Sequence, residues 1–440
     1  MIALRSSWPR TLAIAAFGLL AAESTLPGAQ TLRSAATATV PPPAAIPTQI
    51  FGFRDFTQQA RIDREFLFVP DPQLARQHLK ALTSAPHWAS SPEDYATAQY
   101  VAARFKAAGL ETQIVPYSVV LNKPLSTSIE AFDADGRIIF RGPTLEHVPP
   151  DPANPAVDLY QRDARVLPAS NDSSPAADIT APVVYANYGR LADFERLRAL
   201  GISVQGKIVL VRYGEAYRGV KVYTAQQFGA RGVLIYTDPA DDPDRIHPAY
   251  PAGPDRPASA VQRGSVQFLP IYPGDPTTPG VASIPSLPAS KRIPTGKLQY
   301  VVPSIPAAPL SSADAAPILR AVTGPEAPHD WQGGLGFPYR LGAGSVTVHL
   351  RITKDTRLRT IWDVIGRVPG ATNPRELVIA GNHRDAWVYG ASDPSSGTAA
   401  MLETVHGLGA LLAKGWRPNR TILIASWDAE EEGMIGSTEW

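Results

Sequence analysis

Cysteine is absent from all 440 residues, which excludes disulfides, thiolate metal ligands and a cysteine nucleophile together. Charge is sparse as well. Asp, Glu, Lys and Arg make up 18% of the chain, and 41 basic against 40 acidic residues leave a net charge of +1. So neutral a chain has no electrostatic footprint for nucleic acid or for a polybasic membrane contact, and neither is expected as a partner. Apolar runs of membrane-spanning length are missing too. The nearest, Leu12 to Ala22 behind Arg5 and Arg10, falls well short of the ~20 residues a span needs. It reads as the core of an export signal in residues 1–30, or as an N-terminal anchor that would be the sole membrane contact. Either reading places the rest of the chain in the periplasm or outside the cell.

Proline, by contrast, is plentiful: 44 of 440 residues, about twice the usual ~5%. It gathers at Pro41 to Pro43, at Pro149 to Pro155 and between Pro239 and Pro309, and reads as linkers and rigid loops. Residues 31–60 look like an Ala/Thr/Pro-rich tether. With 44% hydrophobic residues there is ample material for a core, and the length allows two or three domains.

Residues 61–110 show helical spacing, with Ser91-Pro92-Glu93-Asp94 as an N-cap signal and Gly109 as a stop. Glu111 to Val120 alternates like a strand. A long middle region follows, whose clearest unit is the strand Gly206 to Gly214, a helix through Ala225 to Ala230 and the strand Gly232 to Tyr236. Two more strands are expected at Ser345 to Ile352 and Ile361 to Gly366, with His349 as an ordinary strand residue.

Near the C-terminus, Glu376 to Ala380 and Thr421 to Trp427 read as short β-branched strands buried on both faces. Between them Met401, Val405, Leu408 and Leu412 recur at helical spacing before Gly415 and Pro418 stop the helix. This is a βαβ unit, and its parallel strands end at one edge of the sheet. Gly381-Asn382-His383-Arg384-Asp385, with Asp393 ten residues after His383, follows the first strand. Asp428-Ala429-Glu430-Glu431-Glu432 follows the second. Taken singly, a histidine after a strand is a loop residue and an acidic run is a solvated face. Brought to one edge, an imidazole and several carboxylates suit zinc or a similar divalent ion that activates water, and a metallohydrolase is the expectation.

His383 to Gly390, Asp393 to Gly397, Gly415 to Pro418, Ala425 to Glu431 and Gly436 to Trp440 closely resemble the glutamate carboxypeptidase (folate hydrolase) family of zinc peptidases, in the superfamily that includes the transferrin receptor. The likeness extends weakly back to about Phe66. It implies an α/β fold: a mixed sheet with helices on both faces, formed by residues 61–121 and 343–440, and a β-rich protease-associated (apical) domain inserted at 122–342. It implies two zinc ions, one on His383 and the other on Glu431, bridged by Asp393. Glu430 would be the general base, and Asp385 would accept the second imidazole N–H. The family has a cis peptide after the bridging aspartate, here Asp393-Pro394.

By the same resemblance, Arg190 in Asn187-Tyr188-Gly189-Arg190 would grip a substrate's free carboxylate with a bidentate guanidinium. Thr278 and Glu439 would hold a structural calcium through hard oxygen donors. The substrate would be a peptide, in the family one with an acidic C-terminal residue. The family dimerises through C-terminal helices and supplies a further Asp and His ligand beyond the position of Trp440, so a fragment with half the metal shell is expected. The rival readings are an aminopeptidase of the same superfamily and a non-catalytic binding ectodomain like the transferrin receptor.

Overall fold

A computed structural model describes residues 50–440, apart from 53, 147–161, 242–247, 250, 251, 254 and 343. The expected export signal and most of the tether lie outside the described residues. Three helices open the fold: α1 (Thr57–Leu67), α2 (Pro72–Leu82) and α3 (Pro92–Ala107). α1 starts inside the stretch that reads as tether. Ser91 caps α3 by accepting the Asp94 N–H at 3.0 Å, with Pro92 at the first helical position, as the sequence predicts.

β1 (Glu111–Phe132) then runs for 22 residues, about 70 Å of extended chain. β2 (Ile138–Gly142) folds back on it. Next comes an alternation of β3 (Ala177–Tyr185), α4 (Leu191–Ala199), β4 (Ile208–Arg212), α5 (Arg218–Gln227), β5 (Gly232–Tyr236), β6 (Ala307–Leu310) and α6 (Ser312–Ala321). β3 to β6 pair in parallel, and every residue of β4, β5 and β6 is buried. The inserted region is therefore itself α/β, a more regular layer than the β-rich domain expected.

β7 (Thr347–Val368) is a second 22-residue strand. It joins the two short strands read from the sequence, because the polar stretch Lys354 to Thr360 that interrupts their pattern stays extended against β1. The pairing runs antiparallel from Glu111↔Arg367 to Phe132↔Thr347, with one slip near Pro124. The first half of β7 pairs with β3 of the insertion. Its second half pairs with β9 (Arg420–Trp427), which pairs in parallel with β8 (Asn373–His383) across α7 (Ser395–Ala413). The βαβ unit stands where the sequence puts it. The chain closes on two short turns, α8 (Glu430–Gly433) and α9 (Ile435–Glu439).

α2, α3 and α7 cover β7 and β9 through Leu82, Val101, Phe105, Val364, Leu402, Val405 and Ile424. β8 differs from its expected burial. Leu377, Val378 and Ile379 are each about half exposed, on both faces of the strand, because β9 is its only partner among the described residues. An edge with an unpaired backbone and apolar side chains is a template for association. We expect the 440-residue chain to bind a hydrophobic dye and scatter light at micromolar concentration, and Ile379→Lys to reduce both; equal scattering by the variant would contradict this.

Candidate active site

β8 and β9 end in register at His383↔Trp427, and the Arg384 N–H continues the ladder to the Trp427 carbonyl at 2.8 Å. The two loops that follow therefore leave the sheet side by side. Ala429 and Met434 both adopt left-handed backbone, φ 53° and 56°, and bracket the single turn of α8. Such conformations are uncommon for residues other than glycine, and here they bend the acidic segment back toward the first loop.

Asp385 is fully buried between the loops. Its Oδ1 accepts the Glu430 N–H at 3.0 Å and its Oδ2 the Glu431 N–H at 3.1 Å. The His383 Nδ1 lies 3.2 Å from the Asp385 backbone oxygen and 3.5 Å from its Oδ1. One residue thus orients the imidazole, through main chain as well as side chain, and also anchors the turn that carries both glutamates. The resemblance implies the first role for the side chain, whereas the hydrogen bond at 3.2 Å is to the backbone oxygen. The second has no sequence signal, since it depends on where the turn bends.

Beneath Asp385, the buried Arg384 guanidinium holds several elements together. Its Nη2 is 3.1 Å from Asp94 Oδ1 of α3, 3.2 Å from Asp428 Oδ2 and 3.0 Å from the Trp362 carbonyl, and its Nε donates to Thr97 Oγ1 at 3.0 Å. Asp428 in turn accepts the N–H groups of Trp362 and Ala429, and its own N–H donates to Asp363 Oδ1. Sequence reading counted Asp428 only within the acidic run and gave Arg384 no role. An arginine between a candidate His and Asp was the available clue, whereas Asp94, 290 positions upstream, reads only as a helix start.

On the solvent side, His383 Nε2 is 2.9 Å from Asp393 Oδ1 and 3.8 Å from Glu430 Oε2. The Asp393-Pro394 peptide is cis, as the resemblance implies. Glu431 shares the cluster electrostatically. Burial, together with the charges of Asp385 and Asp393, pushes its carboxyl up to about 8, and burial likewise raises Glu430. Burial alone would depress His383, yet the surrounding carboxylates of Asp385, Glu430 and Glu431 push it up to about 10. Glu430, Glu431 and the imidazole all hold their protons to higher pH than usual because the cluster is buried and short of positive charge. That deficit, and a donor set of one imidazole with Asp and Glu oxygens, has the chemistry a divalent cation such as zinc uses, although among the described residues no three His, Asp or Glu side chains stand together as a preformed metal site.

Arg190 is committed elsewhere. Its Nε is 3.1 Å from Asp193 Oδ2 and its Nη1 3.2 Å from Glu215 Oε2, as part of the cap of α4. The guanidinium whose charge acts on Glu430 is Arg218, at the start of α5. Arg218 donates to the Tyr213 hydroxyl at 2.8 Å and to the Ser265 carbonyl at 3.3 Å, and makes no ion pair among the described residues. His349 pairs with Asp178 at 2.7 Å on β7, a strand residue as expected.

Thr278 and Glu439 do come together, but their oxygens are engaged. Thr278 Oγ1 shares a hydrogen bond with Ser283 Oγ at 2.6 Å. Glu439 accepts the Asp275 N–H at 3.1 Å and the Ser283 N–H at 2.5 Å. N–H groups already aimed at both carboxylate oxygens fit a calcium ion poorly.

Residues 179–269 match the PA domain, and residues 363–440 match peptidase family M28. The similarity to the M28 peptidases thus falls on the segment that carries His383, Asp393 and the acidic turn. The chain is 38% identical over 363 residues to a probable glutamate carboxypeptidase of Zea mays, covering 82% of this chain and 46% of that protein. It is 38% identical over 389 residues to the aminopeptidase NAALADL1 of Rattus norvegicus, covering 84% and 50%. It is 41% identical over 361 residues to a probable glutamate carboxypeptidase of Arthroderma benhamiae, covering 78% and 47%. The chain spans about half the length of the curated relatives it matches.

Removing the Arg384 charge with Arg384→Met would leave Asp94 and Asp428 buried without it, and urea unfolding should show a loss of about 3–5 kcal/mol. Asp385→Ala should weaken zinc affinity about 10–100-fold in a competition titration with a chelating dye. Unchanged affinity would remove Asp385 from the metal's support.

Proposed function

We propose that this chain carries the catalytic edge of an exported dinuclear zinc exopeptidase that acts as a carboxypeptidase. The observation that carries the reading is the approach of Asp393, at 2.9 Å, and Glu430, at 3.8 Å, to His383 Nε2 at the carboxyl ends of two parallel strands. Zinc held by His383, Asp393 and Glu431 would polarise a scissile carbonyl and activate water. Glu430 is the general base: its carboxylate takes a proton from the attacking water and delivers it to the leaving amine. Burial tunes it upward, toward the pH at which a carboxyl can both take and give that proton. Asp385 keeps the imidazole and the Glu430 backbone fixed relative to each other throughout.

Arg218 supports a substrate with a free C-terminal carboxylate, because a guanidinium that makes no ion pair among the described residues and whose charge bears on Glu430 can receive an anion. In this reading it takes the part that the sequence assigned to Arg190. The glutamate carboxypeptidase relatives agree with an acidic peptide substrate, and the NAALADL1 relative supports the aminopeptidase alternative. Catalytic zinc ordinarily takes about three protein ligands, so His383, Asp393 and Glu431 furnish only part of two such shells. The apolar run at residues 12–22 supports export.

Hydrolysis of N-acetyl-aspartyl-glutamate and of leucine p-nitroanilide by the zinc-loaded protein separates the two readings. The first should be the better substrate, and Arg218→Met should raise its KM at least about tenfold while leaving the nitroanilide unaffected. Glu430→Gln should lower kcat by about 100-fold or more with zinc affinity kept within a few-fold. Retained turnover in Glu430→Gln would remove the general base, and a preference for the nitroanilide would move the enzyme to the aminopeptidases.

A further inference from the structure

The family resemblance places a calcium ion between the inserted domain and the end of the catalytic segment. We propose that in this chain the Arg292 guanidinium supplies the positive charge there, so that the two parts are held together without a metal. Two carboxylates, Asp275 and Glu439, are buried at this junction, 0% and 5% exposed. Arg292, with a side chain 9% exposed, is buried beside them.

Its Nη1 lies 3.0 Å from Asp275 Oδ2, 3.2 Å from Thr277 Oγ1 and 3.4 Å from Ser283 Oγ, and its Nη2 donates to the Ser118 carbonyl of β1 at 2.6 Å. Asp275 Oδ2 also accepts from Val120 of β1 at 3.2 Å and from Ser283 Oγ at 3.1 Å, while its Oδ1 accepts the Thr277 N–H and hydroxyl at 2.8 Å. Glu439, on α9, accepts the backbone N–H groups of Asp275 and Ser283.

All four carboxylate oxygens therefore have protein donors. Glu432 shows the contrast: it is buried to the same degree, and neither of its carboxylate oxygens has a hydrogen-bond partner among the described residues. A cation entering between Thr278 and Glu439 would face N–H dipoles pointing the wrong way and a fixed positive charge one hydroxyl distant, since Ser283 Oγ touches both Thr278 and Arg292.

The junction bears on the active site because the same loop reaches the catalytic turn. The Gly274 N–H donates to the Gly433 carbonyl at 2.8 Å, and α9 follows α8 directly. Arg292 is thus a positioning residue: it ties the loop 274–283 to β1 while that loop braces the turn bearing Glu430 and Glu431.

The test is a calcium titration of the full zinc-loaded chain by calorimetry and by thermal unfolding, up to about 10 mM, above the ~0.1–1 mM range of extracellular calcium modules. We expect no saturable heat and no rise in Tm. Arg292→Met should lower Tm by about 5 °C or more, and Arg292→Lys, which keeps the charge but cannot fork, by less. Saturable calcium binding with a rise in Tm would overturn the proposal, as would an Arg292→Met protein as stable as the parent. If Arg292→Met fails to fold, the titration of the unmodified chain and the Arg292→Lys Tm still decide. Because neither readout uses peptide hydrolysis, failure here is distinct from failure of the carboxypeptidase reading.

Discussion

The site depends on the carboxylate of Asp385. It emerges from one strand end and accepts the two backbone N–H groups that begin the turn on the other, at 3.0 and 3.1 Å. Those N–H groups have no intrahelical partners, since a four-residue turn is too short to supply any. A buried donor left without a partner costs about 1–3 kcal/mol, so one acid satisfying two of them, beside the imidazole, fixes the distance between the loops more tightly than sheet pairing alone. The spacing of the candidate site follows from that contact. His383 is set from one side of Asp385, and Glu430 and Glu431 from the other.

The long ribbon of β1 and β7 explains how a large insertion stays in register with this edge. At one end β7 belongs to the inserted sheet through β3, and at the other it is the neighbour of β9. A continuous antiparallel pair resists shear, because slipping by one residue would turn every buried side chain outward. Tyr117, Val119 and Leu121 of β1 face into the core alongside Ile361, and that same cluster includes Ala429 and Ile435 of the catalytic segment. The insertion is thus joined to the active site by a rigid element as well as by loop contacts such as Gly274 to Gly433.

Much of this was legible in the sequence, and what was not has a physical cause. The βαβ unit could be read because β-branched runs and a helical stripe are local signals, and the unit then placed His383 beside the acids. The cap at Ser91 could be read for the same reason. The continuity of β7 was hidden because Lys354 to Thr360 is polar on both faces, a pattern that marks a loop unless a partner strand holds it extended. Burial of β8 was misjudged because apolar residues state a preference for cover and say nothing about whether cover is present. Arg218 escaped notice because proximity to Glu430 is a tertiary fact, whereas Arg190 stood in a motif. The partners of Arg384 were out of reach for the same reason: a buried ion network is made of contacts between segments distant in sequence.

That network also settles where the negative charge lies. Asp94, Asp363, Asp385 and Asp428 are all fully buried around a single guanidinium, Arg384. Four ionised acids could not share one cation in so low a dielectric. Burial raises the carboxyls of Asp94, Asp363 and Asp428. Burial acts on Asp385 in the same direction, but the His383 imidazole and the N–H groups of Glu430 and Glu431 outweigh it and hold Asp385 below the usual carboxylate range. Asp385, the acid that faces the imidazole, is thus the one of the four whose surroundings favour the charged form. Of the three beneath it, Asp94 and Asp428 pair with Arg384 and Asp363 accepts the Asp428 N–H. Two backbone N–H groups hold the Asp385 carboxylate beside His383, while Asp94 and Asp428 engage the Arg384 guanidinium below.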